Sequence, residues 1–104
     1  ETIVMSIIHD YNETDVIRTT RCNGIVVCSK SYGINEGRKL ADNIKFKLFT
    51  RGTTGNANTA NASVSELLAF DEVDINTTEK AEGYLAHKWG VTLDSNHPYA
   101  TEAP

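Results

Sequence analysis

The sequence predicts an all-β fold, an antiparallel β-sandwich closed by one α-helix near the C-terminus. Three observations predict it: short apolar runs that alternate with polar residues, an Asn23-Gly24 pair between two such runs, and one segment of helical periodicity near the end. Alternation with period two is typical of half-buried strands, and a period near 3.6 is typical of an amphipathic helix. A length of 104 residues suits a single domain, residues 1–104, or half of a larger one.

The first predicted elements are three short strands, at residues 3–8, 16–22 and 25–28. The second and third flank Asn23-Gly24, a dipeptide that tolerates the positive φ angles of a type I′ turn. We therefore expect a tight β-hairpin at this point.

A two-residue turn also sets the register of the hairpin, so that Cys22 faces Ile25 and Thr19 faces Cys28. Side chains alternate between the two faces of a strand, which would place the two cysteines on opposite faces. Their spacing matches no common zinc or redox pattern. We expect both to be free thiols that pack as small buried residues.

Two further strands are predicted downstream, at residues 44–50 and 64–70. Residues 53–63 lie between them and contain only Thr, Gly, Asn, Ala and Ser. Such a segment cannot bury apolar area, so it should form a surface loop or a ligand-facing edge.

The last element is a helix over about residues 76–89. Asp74 or Asn76 can cap its start, and Gly90 can supply the left-handed residue at its end. One apolar stripe is expected to pack against the sandwich; its residues are Ala81, Tyr84, Leu85 and Trp89. Of these, Trp89 is expected to be a core anchor. The outer face would carry Lys80, Glu82, His87 and Lys88.

The charge of the chain argues against nucleic acid as a partner. The formal net charge is -4, whereas surfaces that bind phosphates concentrate Lys and Arg. One basic stripe is present, formed by Arg38, Lys39, Lys45, Lys47 and Arg51. Its residues within the predicted strand alternate with apolar ones, so the stripe is best interpreted as the solvated face of that strand. No apolar run approaches the roughly 18 residues of a membrane helix, so membrane insertion is not expected.

The C-terminal part of the sequence resembles a known family. The strings Val64-Ser65-Glu66-Leu67-Leu68-Ala69-Phe70, Glu82-Gly83-Tyr84-Leu85-Ala86-His87-Lys88-Trp89-Gly90 and His97-Pro98-Tyr99 look like the closing signature of the concanavalin A-like lectin/glucanase superfamily, in its laminin G-like branch. The resemblance implies a jelly roll, and this chain would correspond to its C-terminal half. The remaining part of the domain or neighbouring subunits would then complete the sandwich.

This resemblance also implies a function and a location. Similar domains serve as adhesive or glycan-recognition modules in secreted bacterial proteins and occur in structural proteins of tailed phages. The expected role is lectin-like recognition of a glycan or a protein surface, outside a cell or on a virion. The alternative is a structural assembly role, as a capsid decoration or tail-fibre subunit that binds no glycan.

A catalytic alternative rests on Glu72-Val73-Asp74-Ile75, which resembles the core motif of laminarinase-type glycoside hydrolases from the same superfamily. That motif needs three carboxylates that alternate along one strand. Asn76 and Thr77 stand where the third should be, and neither side chain can act as a general acid near neutral pH. A turn and helix cap explain these residues more simply, so we expect no enzyme activity.

The candidate ligand contacts combine aromatic rings with amides, because sugars use a stacking face and hydrogen bonds together. They are Tyr11, Tyr32, Asn56, Asn58 and Asn61. A calcium ion is the only cofactor that the sequence suggests, since hard cations take oxygen ligands from turns. Its candidate ligands are Asp10, Asn12 and Asp15; the alternative is an ordinary solvated turn.

Overall fold

The computed structural model describes residues 1–11, 14–33 and 62–104. These residues form one three-stranded antiparallel sheet, in the order β1-β2-β3, and one helix, α1. The elements are β1 (Met5–Tyr11), β2 (Asp15–Cys22), β3 (Ile25–Gly33) and α1 (Ile75–Trp89). The predicted combination of antiparallel strands with one C-terminal helix is confirmed, whereas the described residues form one sheet and not two packed sheets.

The predicted Asn23-Gly24 hairpin is confirmed. Both residues have positive φ, 51° and 87°, as a type I′ turn requires. The turn residue Asn23 also binds the segment before β1. Its side-chain carbonyl accepts a hydrogen bond from the N–H of Val4 at 2.9 Å. Its backbone N–H donates to the carbonyl of Val4, and its own carbonyl accepts from Asp94. The turn therefore connects the sheet to both ends of the described chain.

The predicted register of the hairpin agrees with the structure only beside the turn. Cys22 faces Ile25 as predicted, but a shift between Thr20 and Arg21 places Cys28 opposite Thr20. Thr20 and Cys22 lie two residues apart on β2, so the two cysteines share a face, and the prediction of opposite faces was wrong. An irregularity in the ladder adds one residue to one strand, which sequence alternation alone does not show.

The cysteines are free, as predicted. They are not buried, because Cys28 is exposed and Cys22 is only half-buried. The expectation that both pack as core residues was therefore wrong.

The pairing divides the sheet into two faces. We call the first the tyrosine face; its residues are Met5, Ile7, His9 and Tyr11 of β1, Val16, Arg18, Thr20 and Cys22 of β2, and Ile25, Cys28, Lys30 and Tyr32 of β3. The opposite face carries Ser6, Ile8 and Asp10 of β1, Asp15, Ile17, Thr19 and Arg21 of β2, and Val26, Ser29, Ser31 and Gly33 of β3. Paired residues point to the same side of a sheet, so the register fixes these two groups.

Helix α1 begins and ends as the sequence indicates. Asp74 is the N-cap, and its carboxylate accepts hydrogen bonds from the Asn76 N–H and the Thr77 hydroxyl, both at 3.1 Å. Gly90 is the left-handed C-cap, with φ of 69°, and its N–H donates to the carbonyl of Ala86. Of the two cap candidates, the structure uses Asp74.

The buried side of α1 differs from the predicted stripe. The buried residues are Glu82, Gly83 and Ala86, while Tyr84 and Trp89 are each 42% exposed. Gly83 shows the reason: a Cβ built on it would lie 2.7 Å from the Cβ of Tyr99. The helix approaches the C-terminal segment through small residues, so its large aromatic residues lie elsewhere, and the core role predicted for Trp89 was wrong.

The core of the described residues is small. Val4, Ala86 and Leu93 form one buried cluster, with Leu85 and Val91 packed against it. Leu85 is thus the member of the predicted stripe that joins this cluster. The core sits where the chain before β1, helix α1 and the segment after the helix meet.

Residues 64–70, predicted as a strand, belong to no strand among the described residues. Four of their apolar side chains are exposed: Val64, Leu67, Leu68 and Phe70. A strand needs a partner for its backbone groups, and the described residues supply none here. The predicted strand at 44–50, the basic stripe and most of the 53–63 loop lie outside the described residues.

Candidate functional site

The two tyrosines proposed as ligand contacts lie on the same row of the tyrosine face. Tyr11 pairs with Val16 on one side of β2, and Val16 pairs with Tyr32 on the other. Two inter-strand spacings separate the tyrosine backbones, roughly 10 Å. Val16 is fully buried between them, whereas Tyr11 is 38% exposed and Tyr32 is half-buried. The fold therefore brings together two rings that lie 21 positions apart in the chain.

A row of basic residues lies next to the tyrosines. His9 pairs with Arg18, and Arg18 pairs with Lys30, so one basic residue of each strand lies in this row. All three are exposed. The Cζ atom of Arg18 lies 5.4 Å from the centre of the Tyr32 ring, and the Nζ atom of Lys30 lies 5.1 Å from it. Both distances are within the range of a cation–π interaction.

The sequence analysis missed this basic row, although a signal for it exists. His9 precedes Tyr11 by two residues, and Lys30 precedes Tyr32 by two residues. In a strand, residues two positions apart share a face. The repeated basic-x-Tyr pattern in two separate strands could have indicated a shared basic and aromatic surface.

Two of the three calcium candidates, Asp10 and Asp15, lie on the opposite face. Asp10 is paired with Ile17, and Asp15 lies two residues from Ile17, so both carboxylates are on one side of the sheet. The Asp15 carboxylate accepts a hydrogen bond from the Ser31 hydroxyl at 3.0 Å. Asn12 lies outside the described residues. In the described part of the chain, no group of three or more His, Cys, Asp or Glu side chains is placed to hold a metal ion.

The remaining ligand candidates, Asn56, Asn58 and Asn61, also lie outside the described residues. Among the predicted ligand contacts, the structure thus describes only Tyr11 and Tyr32, and both lie on one face of the sheet.

A buried charged cluster joins the helix to the hairpin, and the sequence analysis did not predict it. Arg21 donates to both carboxylate oxygens of Glu82, at 2.7 Å from Nε and at 3.3 Å from a terminal nitrogen. The same terminal nitrogen donates to the carbonyl of Gly24 at 3.2 Å. Only 11% of the Arg21 side chain and 1% of the Glu82 side chain are exposed. Glu82 was expected on the outside of the helix, and that prediction was wrong.

His97 completes this cluster from the C-terminal segment. Its Nδ1 accepts the Tyr99 N–H at 3.1 Å, so the neutral ring carries its proton on Nε2. That nitrogen lies 3.7 Å from Glu82, beyond hydrogen-bond distance, and has no other partner among the described residues. The His97 ring also leaves no space for a side chain at Gly24, where a Cβ would come within 2.7 Å of it.

The composition of this cluster indicates a structural role. Its three charged or polar side chains are buried and come from the hairpin, the helix and the C-terminal segment. Only 1% of the Glu82 side chain is exposed. Separation of such a pair would leave an uncompensated buried charge, so the pair favours the arrangement in which helix and hairpin meet.

A second polar cluster lies at the surface of α1. Glu66 accepts hydrogen bonds from the indole of Trp89 at 2.9 Å and from the hydroxyl of Tyr84 at 3.1 Å, and Lys88 lies 3.1 Å away. The indole hydrogen bond, with help from Lys88, lowers the pKa of Glu66 below its ordinary value of 4.5. The Tyr84 hydroxyl and then Glu66 raise the pKa of Lys88 above 10.5. These contacts fasten the chain at Glu66 to the helix.

The possible hydrolase motif is arranged as a cap and not as a catalytic strand. Asp74 binds the first turn of α1, Ile75 is the first helical residue, and Glu72 is exposed. The alternation along one strand that the hydrolase motif requires is absent from these described residues.

Comparison with known proteins identifies no relative. No family model, no curated protein and no solved structure matches this chain. Within the described residues, no helix is both long and apolar enough to cross a membrane.

Proposed function

We propose that this chain is a non-catalytic recognition module that binds a glycan through the tyrosine face. The observation that carries this proposal is the row formed by Tyr11, Val16 and Tyr32. An aromatic ring offers a flat apolar surface with a polar tip, which suits a sugar ring and its hydroxyls. Exposed polar groups one row away, on Arg18 and Lys30, would supply the directional contacts.

The proposed fold is a concanavalin-like jelly roll of the laminin G-like branch, of which the observed sheet and helix would be a part. The contacts among the signature residues support it. Glu82 and Gly83 of the helix string pack against His97 and Tyr99 of the final string. The separate pieces of sequence that carry the resemblance thus form one contact cluster. The same resemblance supports a location outside a cell or on a virion surface.

Two observations support a role without catalysis. Asp74 is engaged as a helix cap, and the carboxylate of Glu82 is buried against Arg21. A glycosidase needs two carboxyl groups that flank the bond to be cleaved. The release of reducing sugar from β-glucans by the purified chain would contradict this part of the proposal.

A glycan array tests the recognition role directly. The folded chain should bind a defined set of saccharides, and Tyr11→Ala should remove that binding because it deletes the more exposed ring. Ile3→Ala, on an exposed residue before β1, is the matched control and should bind as the unchanged chain does. An array without hits, on protein shown to be folded, would count against glycan recognition.

A second candidate is the structural assembly role, and a specific observation favours it. β1 and β3 are the outer strands of the described sheet, and they expose large apolar side chains: Met5, Ile7, Ile25, Val26 and Val27. Exposed apolar residues on outer strands promote pairing with another chain. An assembly subunit should therefore sediment as an oligomer, and Val27→Lys should shift it toward monomer. A stable monomer at high concentration would exclude this role.

A further inference from the structure

We propose that the glycan bound by the tyrosine face is anionic and carries sugar carboxylates. This inference rests on the proposed glycan-binding function and names its ligand class. Its basis is the pair of cations in the basic row, Arg18 and Lys30.

Two cations lie directly opposite each other on neighbouring strands. Arg18 and Lys30 are cross-strand partners, so their side chains leave the same side of the sheet as neighbours. Like charges placed directly opposite each other destabilise a sheet. The Tyr32 ring offsets part of this repulsion, since both cations lie within 5.4 Å of its centre. An aromatic ring carries no net charge, however, so the two positive charges remain.

These two cations have no neutralising carboxylate in the described part of the chain. The tyrosine face contains no Asp or Glu among its described residues, and neither Arg18 nor Lys30 forms a salt bridge within the described part of the chain. The acidic residues of these strands, Asp10 and Asp15, lie on the opposite face. The exposed cations Arg18 and Lys30 therefore lie on the tyrosine face, whereas Arg21 on the opposite face is buried and paired with Glu82.

Two neighbouring cations beside a row of tyrosines suit a sugar that carries a carboxylate. A carboxylate placed between Arg18 and Lys30 would accept charge-assisted hydrogen bonds from both and would relieve their mutual repulsion. The row of tyrosines one step away would then stack against the sugar ring that bears the carboxylate. Rows on one strand face repeat about every 6.7 Å, so one sugar residue and its acidic group span the two rows.

Loss of either charge should have different effects on ligand binding and on the stability of the fold. Because Arg18 and Lys30 repel each other, Arg18→Gln and Lys30→Gln should leave the melting temperature unchanged or raise it, while they weaken binding. A purely structural role for these residues predicts the opposite sign for stability. Lys80→Gln, which removes an exposed cation from α1, is the charge-matched control.

The test uses the 104-residue chain and two probes of the same shape, oligogalacturonate and its methyl ester, titrated by calorimetry. The acid should bind at least about tenfold more tightly than the ester at low salt. Added salt should reduce this preference because the site is exposed. Each of the two substitutions should weaken binding of the acid by about tenfold and binding of the ester by clearly less, so that the preference for the acid falls, and Lys80→Gln should change neither.

The outcomes distinguish a failure of the preference for carboxylates from a failure of glycan recognition itself. Equal binding of acid and ester, abolished by Tyr11→Ala, would overturn the anionic preference and leave glycan recognition standing. Binding of a sulfated saccharide in preference to the uronate would overturn the assignment to carboxylates. Polyglutamate that binds as tightly as the saccharide would identify acidic protein as the ligand class and overturn the inference. If no saccharide binds, the inference and the proposed function both fail.

Discussion

The buried pair of Arg21 and Glu82 provides the sharpest test of how this molecule is held together. In Glu82→Gln the side chain keeps nearly the same size but loses its charge, so the guanidinium of Arg21 stays buried without a counter-charge. Breaking a buried pair on one side costs about 3 to 5 kcal/mol. The pair has one short contact of 2.7 Å and a longer one of 3.3 Å, with almost no solvent access, so this range applies.

The measurement is urea unfolding followed by circular dichroism. A domain of this size has a free energy of unfolding of roughly 5 to 15 kcal/mol, so the loss would be a large fraction of the total. With a urea dependence of about 1 to 3 kcal/mol per molar, the midpoint should fall by at least about 1 M. Glu72→Gln removes an exposed carboxylate and is the control. It should change stability by no more than about 0.5 kcal/mol.

A double variant separates the charge effect from packing. When both partners become methionine, Arg21→Met with Glu82→Met, no unpaired charge remains buried. Apolar replacement of a whole pair is often neutral or stabilising, so the double variant should be more stable than Glu82→Gln alone. If Glu82→Gln unfolds at the same midpoint as Glu72→Gln, or if the double variant loses the sum of the single losses, the reasoning is refuted.

Three further predictions concern single positions. Gly83→Ala should destabilise the chain by about 1 to 3 kcal/mol through its clash with Tyr99, whereas Gly33→Ala, which meets nothing within 4 Å, should be near neutral in the same thermal melts. Asp74→Ala should cost about 1 kcal/mol by removing the helix cap, and unchanged thermal stability would contradict that. The lowered pKa of Glu66 means that its charged form adds stability above pH 4.5 and loses this contribution as the pH falls through the lower folded value. The single tryptophan should therefore show a fluorescence transition with its midpoint below pH 4.5, and Glu66→Gln should abolish it.

Local features of this chain were predictable because they depend on neighbours in sequence. The Asn23-Gly24 turn, the Asp74 cap and the Gly90 end of the helix each arise from one or two residues whose backbone preferences are strong. The strands β1 and β2 were located to within a few residues for the same reason.

Other features depended on contacts between distant segments. The buried side of α1 was misassigned because hydrophobicity favoured Tyr84 and Trp89, whereas close packing favoured Gly83 and Ala86. Glu82 was assigned to the surface because a carboxylate is usually exposed. Its burial depends on Arg21, which lies 61 positions away.

Residues adjacent in the chain are enough to specify where it turns, where its helix starts and stops, and which residues alternate along its strands. Tertiary structure alone decided which rows face each other, because a shift of one residue between Thr20 and Arg21 changes the partner of every later residue in β3. It also decided that the helix buries a carboxylate and exposes an indole. The physical reason is the same in both cases: burial and register depend on complementary groups brought together from distant positions, and local preferences contain no information about them.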